Sequence, residues 1–279
     1  MLSIAVGPIV ISISQLITLV GLFMFWGITY LQTRNNAQQK QFIDYIFTAI
    51  IVGFLTARLT FIIVMWQSYQ ENWWQLLNIS DGGFIPSTGW GAGALVLIFY
   101  ARRNKLFIKA YFTSALITFF CLIIPAFFAV IYQAAVELPS SPLRNIEGHE
   151  VDLRRYKGTP VVINFWASWC PPCRREMPVL EAAQKHNPEL VFVFVNQGES
   201  LLSVKSFIDS TALDLKNVFI DPTSNVSRET GAAGLPTTLF YNEKGQLVTS
   251  HMGELSQASL RYYLNQINSV VPLNKRINL

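Results

Sequence analysis

Four apolar stretches crowd into the first 132 residues of this 279-residue chain, at 4–31, 42–66, 84–101 and 106–132. Each is long enough to cross a hydrocarbon core of about 30 Å, which takes roughly 20 residues of helix. In that medium a backbone must satisfy its own hydrogen bonds, so helices are the form open to such segments. The third stretch is the shortest and carries Gly89, Gly91 and Gly93. The first is too long for a secretory signal and shows neither a basic start nor a small-residue cleavage site, so it is expected to be retained.

Charge divides the chain in the same place. Residues 1–139 carry seven Lys/Arg and four acids, whereas residues 140–279 carry 14 basic and 13 acidic residues. The first half is expected to be a four-helix membrane domain, 1–132, and the second a soluble domain, 148–270. A linker at 133–147, containing Leu138-Pro-Ser-Ser-Pro142, joins them, and 271–279 forms a tail. The net charge of +4 gathers into no basic face, so nucleic acid is not an expected partner.

The basic residues set an orientation. Arg34 and Lys40 lie between the first two spans, and Arg102, Arg103 and Lys105 between the last two, while the loop at 67–83 has none. By the positive-inside rule both basic loops face the cytoplasm, and both chain ends face out. Trp66, Trp73, Trp74 and Trp90 gather around the outer loop, as in an interfacial aromatic belt. Asp44 and Lys109 lie near span ends, where snorkelling suffices. Arg58 lies deeper and reads as a structural pair or a headgroup contact.

Thr56-Ala-Arg-Leu59, then Asp81-Gly-Gly-Phe84, then a glycine-rich span ending in Tyr100-Ala-Arg-Arg103 resemble the N-terminal half of prolipoprotein diacylglyceryl transferases, over roughly residues 10–130. The family's histidine would fall near Ser87, and no histidine precedes His149. The family's later Gly-Arg-x-Gly-Asn segment is absent too. The resemblance therefore implies a shortened membrane module in contact with membrane lipids, without transferase chemistry. A lipid-modifying enzyme with a redox appendage is the alternative.

The chemistry lies in Trp166-Ala-Ser-Trp-Cys-Pro-Pro-Cys173. An apolar run, Val161-Val-Ile-Asn-Phe165, precedes it, and a helical stretch from Arg174 to His186 follows. This puts a dithiol at a helix N-terminus, where unpaired amides and the dipole favour a thiolate. The thiolate is the form that attacks disulfides. The one cysteine outside this pair, Cys121, sits in an apolar span, so the cysteines form no disulfide framework. His149, His186 and His251 are scattered, and a metal held by two cysteines alone would be incompletely coordinated.

Around the dithiol the pattern alternates. Strands are expected at 150–153, 160–166, 190–196 and 217–220, with helices at 173–187, 201–210 and 223–230. A hairpin of 237–241 and 247–251 and a helix at 255–268 close the domain. The continuous apolar runs predict parallel strands covered on both faces, hence an α/β sandwich. In Gly234-Leu-Pro-Thr-Thr-Leu-Phe240, Pro236 just before a strand is a candidate cis-proline. Beside a dithiol it exposes the backbone of Leu235 for strand addition by a substrate peptide.

Residues 148–268 closely resemble the ResA/TlpA-like membrane-anchored thioredoxins. The resemblance runs through Tyr156 to Pro178, Val195-Asn-Gln-Gly-Glu-Ser200 and Gly234-Leu-Pro-Thr-Thr238. It implies an α/β thioredoxin-like domain that cycles between a dithiol and a Cys170–Cys173 disulfide without a further cofactor. Cys170 would be the nucleophile and Cys173 the resolving thiol. Pro178 would kink the helix, Pro236 would be the cis-proline, and Glu199 would handle a proton. Thioredoxin's buried aspartate corresponds to Asn164. Trp169, Pro171, Pro172, Leu235 and Thr237 would meet the substrate. Such proteins reduce extracytoplasmic disulfides, often of apocytochrome c, although oxidase or isomerase use of the same dithiol stays open. Cys121 alone cannot carry a dithiol's electrons across a bilayer, so a separate membrane donor with a cysteine pair is expected. The setting implied is the bacterial cytoplasmic membrane, with the thioredoxin-like domain on its periplasmic side.

Overall fold

A computed structural model describes residues 3–6, 9–70, 73–103 and 105–270; the tail expected at 271–279 lies outside them. The chain forms two compact units, one of residues 13–70 with 83–130, the other of 1–12, 71–82 and 131–279.

The first unit is helical: α1 (Ile13–Thr33), α2 (Gln39–Val64), α3 (Pro86–Arg102) and α4 (Lys105–Ala134), whose last residues pass into the second unit. Three of these four are long and apolar enough to cross a membrane; α3, at 17 residues, is at the lower limit of a spanning helix. Phe23, Ile63, Leu95 and Phe128 are each more than 60 % exposed, an outward apolar surface that suits hydrocarbon and not water. This is a membrane protein.

The helices approach closely where their residues are small. A Cβ on Gly53 would stand 2.8 Å from the Gly89 carbonyl oxygen, and one on Gly89 would stand 2.8 Å from that of Gly53. Gly93 faces the Ala49 carbonyl in the same way, so α2 and α3 cross backbone to backbone on a small-xxx-small pattern. Polar side chains bridge other helices: Thr29 donates to Ser114 (2.9 Å), and the Tyr111 hydroxyl donates to the Phe42 carbonyl (3.0 Å). Arg58 is buried and donates to the Gly83 carbonyl at 2.8 Å, with the Phe61 and Phe84 rings within 6 Å of its guanidinium. Of the two roles expected for Arg58, this contact is the structural one. The first span differs from expectation: residues 3–12 hold an antiparallel strand pair, β1 (Ser3–Val6) and β2 (Ile9–Ser12), and helix begins only at Ile13.

The second unit holds a seven-stranded sheet in the order β4-β3-β7-β6-β5-β8-β9. Its strands are β3 (Leu143–Asn145), β4 (Glu150–Val151), β5 (Val161–Trp166), β6 (Val191–Gln197), β7 (Val218–Asp221), β8 (Thr237–Tyr241) and β9 (Leu247–Met252). Strands β5, β6 and β7 run parallel, and β8 and β9 return antiparallel as the expected hairpin. The helices are α5 (Pro171–His186), α6 (Leu201–Thr211), α7 (Asn225–Thr230) and α8 (Gln257–Val270). Alternate residues of β5 feed two cores. Val162 and Trp166 pack with Cys173, Met177 and Leu260, while Val161, Ile163 and Phe165 pack with Val226, Phe219 and Leu239. Both faces are covered, as the continuous apolar runs require.

The expected linker belongs partly to this fold. Leu143–Asn145 pairs with β7 and with β4, and Leu138 and Leu143 are buried. Burial of these two leucines, not the prolines around them, decides where the domain begins.

Candidate active site

The sheet aims β5 at the dithiol. Four residues after Trp166, Cys170 takes the N-cap position of α5, and the Cys173 amide donates to its Sγ at 3.3 Å. Pro171 and Pro172 occupy the first two helical positions and have no amide hydrogens. Of the amides that normally serve a cap side chain, only the third position remains. The two cysteines are joined by an S–S bond of 2.04 Å and are both buried. The helix continues through Pro178 to His186.

Trp169 is 68 % exposed beside the dithiol, Pro171 is exposed and Pro172 half-buried. Trp166 is fully buried, its ring 5.3 Å from that of Phe207, so it packs the core and offers nothing to a substrate. The Leu235–Pro236 bond is cis, with Leu235 half-buried. Thr237 corrects an expectation: its side chain is fully buried and its hydroxyl donates to the Gly234 carbonyl at 2.6 Å. A substrate contact through that side chain is closed off; the backbone alone stays available.

Glu199 sits in the loop after β6, within reach of the segment that leads to Cys170. Its carboxylate accepts from the Ser168 amide (2.6 Å), the Ser168 hydroxyl and Asn196 Nδ2 (2.7 Å). These bonds tie two loops together ahead of the nucleophile.

A second carboxyl group, one that the sequence reading passed over, lies deeper. Glu176 is one turn after Cys173 on α5 and fully buried. It accepts from Asn164 Nδ2 and from the Leu255 amide, both at 2.8 Å. Burial pushes its pKa up to about 8, against the two hydrogen bonds, and Glu254 nearby raises it further. Glu254 in turn holds Arg175 at 2.6 Å. The available signal was position: Cys173, Glu176, Met177 and Leu180 form the buried stripe of α5, and an acid on that stripe is out of place.

A cysteine pair at a helix tip, fed by a central parallel strand and flanked by a cis-proline loop, defines a thioredoxin-like dithiol protein. Family comparisons agree. Residues 133–266 match the Redoxin family model, and residues 1–129 match that of prolipoprotein diacylglyceryl transferase. The thiol-disulfide oxidoreductase ResA of Halalkalibacterium halodurans is 35 % identical over 127 residues, 45 % of this chain and 72 % of the relative. ResA of Bacillus subtilis is 27 % identical over 174 residues, 60 % of this chain and 95 % of the relative. StoA from Bacillus subtilis superposes with a TM-score of 0.40 at 26 % identity, covering 45 % of this chain and 99 % of that one. The chain belongs to the ResA family of thiol–disulfide oxidoreductases.

Proposed function

We propose that this protein is an extracytoplasmic reductase of protein disulfides, anchored in the bacterial cytoplasmic membrane by its apolar helices. Apocytochrome c before haem attachment is the substrate that the ResA resemblance favours. The observation that carries the reading is the Cys170–Cys173 pair at the tip of α5, with Cys170 capping the helix and a buried carboxyl group one turn behind Cys173.

In the reduced protein the Cys170 thiolate attacks a substrate disulfide. A mixed disulfide forms and one substrate thiolate leaves. Cys173 then loses its proton and attacks Cys170 Sγ, which closes the intramolecular disulfide and releases the second substrate thiolate. Two electrons pass to the substrate, whose two thiolates take their protons from solvent, while the Cys173 proton stays with a base of the protein. Glu176 is the group we assign to take up the Cys173 proton: it is buried on the same helix face, and its pKa of about 8 lies close to that of a thiol. Glu199 keeps the part its contacts support, holding the loop before Cys170, with proton exchange at the outer sulfur as a further role. Trp169, Pro171, Pro172 and the Leu235 backbone form the docking surface.

The basic loops at Arg34–Lys40 and Arg102–Lys105 favour a cytoplasmic side for both, which leaves the dithiol outside. There the oxidised protein is recharged by a separate membrane donor that carries a cysteine pair. No organic cofactor enters this cycle. The membrane unit meets lipids, and with no histidine before His149 it is not assigned lipid transfer.

The test is the reduction potential of the full chain, equilibrated against dithiothreitol or glutathione. A value near or below about −220 mV is expected; one near about −120 mV would make the protein a disulfide former.

A further inference from the structure

The segment Asp81-Gly-Gly-Phe84 begins in the loop between α2 and α3, and the disulfide-exchange cycle gives it no task. Its first two residues fold with the second unit. Asp81 is fully buried there, and the Ser256 hydroxyl donates to its Oδ2 at 2.9 Å. Gly82 follows with a φ of +66°, and a side chain on it would run into the imidazole of His251, itself buried on β9. A carboxyl group buried in this way carries a desolvation cost that an apolar residue would avoid.

Ser256 ends a run of three residues that make three successive contacts. Glu254 holds Arg175 at 2.6 Å. The Leu255 amide donates to Glu176 Oε2 at 2.8 Å. Ser256 donates to Asp81 and accepts the Ser259 amide at 3.1 Å, which caps α8. The Leu255 side chain packs in the same core as Cys173, which places the residue; the contacts on either side settle where its N–H points. Those two contacts differ in strength. The Arg175 side chain is 60 % exposed, so its ion pair is screened and yields easily. The Ser256–Asp81 bond lies in the interior, where a hydrogen bond is electrostatically stronger. Asp81 is therefore the firmer anchor of this turn.

We propose that Asp81 is a positioning residue of the dithiol site: through Ser256 it keeps the Leu255 amide aimed at the Glu176 carboxyl group. Its effect on exchange rests on the reading that Glu176 takes the Cys173 proton. A hydrogen bond from an amide favours the charged carboxylate, so its loss makes Glu176 hold a proton to higher pH. The other titratable groups around this contact are Cys173 and Arg175 on α5, Glu254 before α8, and His251 and Tyr263, both within the field of Asp81. The carboxyl group beside Cys173 is thus tuned by a residue outside the thioredoxin-like stretch of sequence.

The test uses the oxidised full chain in detergent, 13C-labelled at its glutamate carboxyl carbons and followed by NMR across neutral and mildly alkaline pH. Glu176→Gln identifies the signal. In Asp81→Ala the Glu176 midpoint should move to higher pH, its acid constant falling roughly threefold to tenfold with the loss of one hydrogen bond to the charged form. Asp81→Asn keeps an acceptor of the same size for the Ser256 hydroxyl and should stay near the wild-type midpoint. Ser256→Ala removes the donor instead and should match Asp81→Ala; both changes together should shift the midpoint no further than either alone. A midpoint unmoved in both Ala variants would overturn the proposal. So would a downward move shared by Asp81→Ala and Asp81→Asn, the mark of a lost negative charge acting through space. The pH profile of the reduced chain reacting with oxidised glutathione separates the two readings. If the NMR midpoint moves and that profile does not, Asp81 positions the amide and the Cys173 proton goes elsewhere. If Glu176→Gln alters the profile while Asp81→Ala leaves the carboxyl signal in place, Glu176 keeps its role and the proposal fails.

Discussion

The carboxylate of Glu199 takes both the amide and the hydroxyl of Ser168, two residues before the nucleophile. One side chain thus fixes the backbone from which Cys170 departs into its helix. Replacing Glu199 with Ala leaves a half-buried amide without its charged partner, at a cost of about 1–3 kcal/mol. Denaturant unfolding of the oxidised chain should show that loss, together with slower exchange. An unchanged midpoint would mean that the contact holds nothing.

Cys173→Ser should stop the reaction halfway. Cys170 can still attack, but no second thiol displaces the substrate, so a covalent adduct should persist on a non-reducing gel. Cys170→Ser should give no adduct. Adduct formation by Cys170→Ser and not by Cys173→Ser would reverse the two assigned roles.

Glu176 makes stability depend on pH with a definite sign. The folded chain keeps this proton up to about pH 8, whereas the unfolded chain releases it near the ordinary 4.5. Between those values the native state binds more protons, so stability falls as pH rises. Buried His251, pushed down to about 4, acts oppositely between about 4 and 6.5. From pH 6.5 to 8 the Glu176 slope is therefore free of His251, and Glu176→Gln should flatten it in urea titrations.

The crossing of α2 and α3 leaves no room for a side chain at Gly89, whose Cβ would also stand 3.0 Å from that of Ala57. Gly89→Leu should separate these helices at a cost of about 1–3 kcal/mol, read as a lower thermal midpoint in detergent. Gly91→Ala is the control, because nothing lies within 4 Å of its added carbon. Equal behaviour of the two variants would contradict the close crossing.

Much of this molecule was legible from residue order. Val161 to Phe165 announced a strand covered on both faces, and Asn242-Glu-Lys-Gly245 announced the turn between β8 and β9. What stayed hidden has local reasons. Leu143–Asn145 is three residues long and follows a proline, so no period can show; only its pairing with β7 makes it a strand. The β1–β2 pair sits in a continuous apolar run, where length alone favours a helix. Glu176 drew no notice in the sequence, because its burial is set by its contacts with Asn164 on β5 and with Leu255, 79 residues on. Thr237 looked accessible beside Pro236, whereas β8 turns its side chain inward.

The two prolines between the cysteines leave the outer sulfur a single peptide dipole, that of Cys173. Helix geometry reserves another such dipole at position 172, and here it is switched off. The protein thus carries an unused dial. Any residue with an N–H at 172 would steady the thiolate, favour the reduced form and move the couple toward oxidation. Natural variation at that one position would shift the same scaffold part of the way from giving electrons toward taking them.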